Sequence, residues 1–93
     1  MKKRVWERDK GCCVICGSGQ SVMPNAHYIS RSKGGLGIEE NIVTLCTPLS
    51  INKCHERYDN GDAFERQWMG KMIADYLRAC YPGWDEAKLI YKK

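Results

Sequence analysis

The sequence predicts an α+β fold in which a β-hairpin and a short helix are stapled together through cysteines, with further helices at both ends. Three observations lead there. Six cysteines stand in 93 residues, and five of them fall in two groups about thirty residues apart, "CCVICG" and "LCTPLSINKC". A chain this short buries a modest fraction of its surface and gains from a covalent or metal staple. The apolar periodicity also changes along the chain, from strand-like alternation before Cys46 to helical spacing after Asp62.

Each element follows in order. Residues 2–9, "KKRVWERD", read as a short helix carrying Val5 and Trp6 inward and closed by the Lys10-Gly11 turn. "VMPNAHYISRS" is broken by Pro24 and then alternates, with Ala26, Tyr28 and Ser30 facing opposite to His27, Ile29 and Arg31. This predicts a strand over residues 25–30. "KGGLGIEEN" holds three glycines and reads as a flexible loop, and β-branched "NIVTLC" as a second strand running into Cys46. "TPLSIN" is an irregular connection, and "KCHERYD" a short helix stopped by Asn60-Gly61.

From Asp62, residues Phe64, Trp68, Met69, Met72, Ile73, Tyr76 and Leu77 recur at helical spacing, and Pro82-Gly83 ends that helix near Tyr81. The stripe reads as core packing, with Cys80 on its apolar side. "WDEAKLIY" predicts a last short helix capped by Asp85. No repeats or linkers interrupt the chain. It is expected to form one domain over residues 1–93, with a core at about 5–60 and a helical extension at about 62–93.

Fifteen basic against eleven acidic side chains give a net charge of +4, which permits a polyanionic partner without requiring one. The start "MKKRVWERDK" has no apolar region behind it, and no apolar run reaches the roughly eighteen residues of a membrane span. The expected location is therefore a reducing cytoplasm, with no membrane contact. There, clustered thiols more often bind metal than pair as disulfides.

Cys13 and Cys16 are separated by two residues, with Gly17 just beyond, a spacing that lets a tight turn aim two thiolates at one ion. Cys46 and Cys54 have seven residues between them, so the inserted loop must bulge without moving the sulfurs. Together these four are the expected ligands of a structural, tetrahedral Zn²⁺ tying the N-terminal turn to the hairpin and the short helix. The competing reading is buried free thiols packed as small hydrophobes. Cys12 competes with Cys13 at a poorer spacing, and Cys80 reads as packing.

With "AHYISRSKGG", "EEN" and "CHERYD" set in order between and beside the cysteines, the chain resembles the HNH endonuclease family, whose ββα-metal motif runs strand, loop, strand, helix. The resemblance covers residues 5–59. Over its whole length, including "YDNGDAF" and the helical tail, the chain looks like short HNH proteins that bacteriophages encode near their DNA-packaging genes. The family pattern of histidine, asparagine and histidine falls on His27, Asn41 and His55.

The resemblance implies roles. His27 is the expected base that deprotonates water, His55 a ligand of a catalytic divalent ion, and Asn41 the side chain that holds the backbone aiming His27. One departure stands out: where much of the family has a metal-binding aspartate or histidine just before the base, this chain has Ala26. Family members with two ligands four residues apart on the final helix point instead to Asp59, which shares a helical face with His55. Asp59 reads equally as a helix-terminal carboxylate. A sphere with one imidazole and at most one carboxylate suits Mg²⁺ or Mn²⁺, with Ni²⁺ also accommodated through His55.

Arg31 and Lys33, just beyond the base, and Arg57, after the metal ligand, are candidate phosphate contacts. Lys33 reads equally well as solvated surface charge. The implied activity is hydrolysis of DNA phosphodiester bonds, nicking one strand per site and leaving a 5′ phosphate and a 3′ hydroxyl. DNA is the expected partner, the chain a monomer or weak dimer, and phage terminase or other packaging proteins further partners in the bacterial host cytoplasm. Ala26 motivates a second reading, a zinc-stapled DNA-binding module without catalysis. A third is a packaging adaptor docking through Trp68, Met69 and Met72.

Overall fold

A computed structural model describes residues 2–47, 49–50 and 52–90. Pro48 and Ile51 of the predicted connection, and Tyr91 of the predicted last helix, lie outside the described residues. Among these residues the chain forms three α-helices around one two-stranded antiparallel sheet, so the α+β class holds.

The first helix, α1 (Lys2–Arg8), is too short to persist alone and depends on what it packs against. Val5 is fully buried, but Trp6, expected inward, is 41% exposed. Neighbours on a helix diverge by about 100°, so the two cannot share one inward direction. Trp6 covers the following turn instead. Gly11 there has φ +63°, and a Cβ on it would meet the indole at 2.9 Å.

Strand β1 (Val22–His27) pairs with β2 (Ile42–Cys46). The register pairs Val22 with Cys46 and Met23 with Leu45, then slips by one to pair Ala26 with Val43 and His27 with Ile42. This irregularity places Pro24, which has no N–H to give a ladder, where none is required. The strand therefore begins before Pro24 and ends at His27, rather than spanning residues 25–30. All five β2 residues are buried, because α1 packs on the hairpin and α2 (Cys54–Asn60) on β2.

The expected flexible loop between the strands is largely structured. Two 3₁₀ turns, Arg31–Lys33 and Glu39–Asn41, frame it. Gly35 bridges Ile90, and the Leu36 N–H donates to the Leu89 carbonyl at 2.8 Å. A Cβ at Gly35 would lie 1.8 Å from the Ile29 carbonyl oxygen, so only glycine lets the loop close there.

Helix α3 (Ala63–Cys80) is capped by Asp62, whose carboxylate accepts the Glu65 N–H at 2.8 Å. Met69, Ile73 and Leu77 are fully buried and form the centre of its core stripe against the hairpin. Phe64 is 75% exposed and Met72 42% exposed, contrary to the wider stripe expected. At about 100° per residue Phe64 falls opposite Ile73, and Met72 lies at the margin. Met69 being buried, the docking face expected from Trp68, Met69 and Met72 does not exist as one surface.

A 3₁₀ turn, Glu86–Leu89, capped by Asp85 accepting from the Ala87 N–H, closes the described chain. The radius of gyration, 12.4 Å, is near the about 12 Å of a folded chain this long. Among the described residues, no helix is long and apolar enough to cross a membrane.

Candidate metal centre and histidine cleft

The four predicted cysteines meet. Cys13 and Cys16 occupy a turn closed by the Gly17 N–H donating to the Cys13 carbonyl at 2.9 Å, with Gly17 at φ +78°. Cys46 ends β2 and Cys54 begins α2. Lys53, in the left-handed region at φ +47°, and its N–H bond to Ser50 Oγ bring the bulged connection back in time for Cys54.

The four sulfurs all lie within 4.8 Å of one another. Zn–S bonds of about 2.3 Å in a tetrahedron require S···S separations of about 3.8 Å. Cys16 Sγ and Cys46 Sγ are 3.8 Å apart. Backbone donors already face the sulfurs: Ile15 and Cys16 N–H on Cys13 at 3.4 and 3.5 Å, and Cys54 N–H on Cys46 at 3.0 Å.

No cysteine is disulfide-bonded, and neither Cys12 nor Cys80 belongs to the cluster. Burial opposes ionisation of Cys16, but donors at Ser18 and Asn52 outweigh it and lower its pKa to about 7. Burial and the adjoining sulfurs push Cys13 and Cys54 up. Four sulfurs this close together form a soft donor set that fits Zn²⁺.

The second site begins where β1 ends. His27 lines an open cleft of about 1110 Å³ whose wall also includes Asp59 of α2. Asp59 Oδ2 lies 3.0 Å from His55 Nε2, one helical turn earlier. His55 itself is not among the cleft-lining residues and reaches the cleft through Asp59. Tyr58 Oη donates to the Tyr28 carbonyl at 2.6 Å, tying α2 to the residue after His27.

Asn41 is fully buried, and its side chain continues the ladder where β1 has ended. Its Oδ1 accepts the Ile29 N–H at 2.8 Å, and its Nδ2 donates to the carbonyls of Ile29 and Leu36 at 3.1 and 2.8 Å. The backbone beyond His27 is thus clamped to the far side of the loop. Ala26 turns the other way, is 1% exposed and belongs to the apolar core.

The three candidate phosphate contacts separate. Lys33 lines the cleft, whereas Arg31 is exposed outside its lining. Arg57 lines a different, shallower groove, pairs with Glu65 at 3.3 Å and lies over the Trp68 ring at 5.8 Å. Sequence reading missed Tyr58, Arg66, Lys71 and Glu86 in the cleft wall. For Lys71 the available signal was its place on the side of α3 opposite the apolar stripe; Arg66, seven residues before Ile73, falls on the stripe's own side, and periodicity gives no signal for it. Tyr28 Oη donates to Glu86 at 2.8 Å, and burial with Glu86 nearby raises its pKa. Burial, with Asp59 and Glu86 nearby, pushes Tyr58 up to about 12, so both phenols stay protonated donors at neutral pH.

Set against protein-family models, curated proteins and solved structures, the chain matches none. Its fold and its thiol cluster define the class: a small α+β protein whose Cys13, Cys16, Cys46 and Cys54 can hold a metal ion.

Proposed function

We propose that the chain is a metal-dependent DNA endonuclease of the HNH type, with β1, β2 and α2 as a ββα-metal core stapled by structural Zn²⁺. The observation that carries the reading is the shared cleft. His27 and Asp59 line it together, and Asp59 is paired with His55 at 3.0 Å. Residues far apart along the chain thereby converge on one open space wide enough for a phosphodiester.

In this reading His27 accepts a proton from water as the water oxygen bonds to phosphorus, and the departing 3′ oxygen takes up a proton as its bond to phosphorus breaks. Asn41 positions His27 by clamping Ile29 and Leu36. His55 and Asp59 supply one nitrogen and one oxygen donor on a single helical face, a set suited to Mg²⁺ or Mn²⁺, with Ni²⁺ acceptable to the imidazole. Held by His55 and Asp59, such an ion would neutralise charge building on the phosphate. The sulfur-ligated Zn²⁺ takes no part in the reaction. A phage DNA-packaging setting in a bacterial cytoplasm, and a monomer or weak dimer, complete the proposal.

The burial of Ala26 in the apolar core favours a second reading. With no donor at that position, the chain acts as a zinc-stapled DNA-binding or packaging-adaptor module. A supercoiled-plasmid assay separates the two. Nicking by the parent with Mg²⁺ or Mn²⁺, reduced at least about a hundredfold in His27→Ala and His55→Ala, is the expected result. Cutting by His27→Ala at the parent's rate removes the assigned base, and binding without cutting under every divalent ion selects the adaptor.

A further inference from the structure

We propose that the α3 wall of the histidine cleft, Arg66 and Lys71, together with Lys33 across it, is the surface that grips the sugar-phosphate backbone of duplex DNA. The identity of the polyanion rests on the nuclease reading. The surface rests on the structure. All three cations line the same cleft as His27, and all three are exposed.

They are also uncommitted. Arg4, Arg8, Arg57 and Arg78 each pair with a carboxylate, whereas among the described residues neither Arg66, Lys71 nor Lys33 does. The carboxylates in the cleft wall, Asp59 and Glu86, already face His55 and the Tyr28 hydroxyl. Cations left without internal partners beside a histidine are positioned for an external anion.

Local helix chemistry explains the wall. Arg66, Gln67, Gly70 and Lys71 line the cleft together: Arg66, seven residues before Ile73, continues the side of the buried stripe to the exposed N-terminal end of α3, and Lys71 stands on the opposite side of the helix from Met69 and Ile73. Gly70 lacks a side chain, and a Cβ there would lie 3.6 Å from the Tyr58 ring. The aromatic floor of the cleft therefore comes up against the helix at Gly70, next to Lys71. Helix α3 thus has two roles: its buried stripe builds the core, and its exposed cleft-lining cations meet the phosphates.

The test is binding of the zinc-loaded full chain to a short labelled duplex, followed by fluorescence anisotropy from about 50 to 200 mM salt, with no divalent ion or chelator added. The Arg66→Gln/Lys71→Gln pair is compared with Lys2→Gln/Lys3→Gln, which removes the same charge from the exposed end of α1. Thermal melts establish that both fold.

The expected result is that the slope of log K against log salt falls by about two for the cleft pair and stays unchanged for the α1 pair. An unchanged slope for the cleft pair, or an equal fall for both pairs, overturns the proposal. The plasmid assay keeps this separate from the nuclease reading. Nicking by the parent with a slope indifferent to the cleft pair rejects the surface and retains the nuclease; the slope difference without nicking does the reverse. Absence of DNA binding by the parent rejects both.

Discussion

The Asn41 carboxamide satisfies main-chain groups of two separate residues, the N–H and C=O of Ile29 and the C=O of Leu36, from a position with no solvent exposure. Water cannot replace a partner removed there. Asn41→Ala is expected to cost about 3 kcal/mol, read as a lowered urea midpoint, and to reduce nicking further by freeing the backbone after His27. Asn41→Asp keeps the acceptor for Ile29 but turns a charge toward two carbonyls, so it is expected to be worse than alanine. A loss under about 1 kcal/mol for alanine would show that the clamp contributes little. That the Asn41 amide bonds across the loop was legible in the sequence. The geometry of the clamp was legible only in outline, since nothing in "EEN" says that Leu36 is its second anchor.

Between elements, the least legible feature is the junction of α1 with the hairpin. Arg8 reads in the sequence as the solvated end of a short basic helix. Folded, its guanidinium donates to the Asp9 carboxylate at 2.7 and 3.1 Å, to the Glu39 and Ile42 carbonyls at 2.8 and 2.6 Å, and to Tyr81 Oη at 3.0 Å. It also lies 5.6 Å from the ring centroids of both Tyr76 and Tyr81. Burial works against its charge, but Asp9 and Tyr81 more than offset this and push its pKa up. The Asp9 side chain has no solvent exposure and also accepts the Thr44 N–H of β2 at 2.8 Å. Arg8→Met strands that carboxylate and is expected to cost about 3–5 kcal/mol in a denaturation curve. Arg8→Lys is expected to recover only part, because an ammonium cannot span a carboxylate, two carbonyls and a phenol at once. Equal stability of Arg8→Met and the parent would show that the network is dispensable. Arg8 also holds the Glu39–Asn41 turn, so the helix farthest along the chain from His55 helps set where Asn41 sits.

At the scale of the whole molecule, the thiol cluster joins the N-terminal turn, the end of β2 and the start of α2, so an ion there links three parts of the chain. Structural Zn²⁺ contributes on the order of 10 kcal/mol at neutral pH, comparable with the entire stability of a small domain. Chelation is therefore expected to abolish the circular-dichroism melt of the folded chain, with recovery on adding Zn²⁺. Cys54→Ser should behave like the chelated protein, while Cys12→Ser and Cys80→Ser should bind one zinc per chain as the parent does. An unchanged melt after the metal is removed would reduce the cluster to packed thiols. By itself the sequence determined the features written in short range. These are the two cysteine groups, the strand at residues 42–46, the helix begun at Asp62 and stopped before Pro82, and the cap at Asp85, because spacing, branching and capping act within a turn or two. Tertiary structure alone decided where β1 slips to accommodate Pro24, that Trp6, Phe64 and Met72 turn outward, that Arg8 is held among Asp9 and two tyrosines, and that α3 walls the His27 cleft. Each of those depends on groups tens of residues apart meeting in space. Local propensity carries no record of such meetings, since their free energy comes from burial and pairing that exist only once the chain has closed on itself.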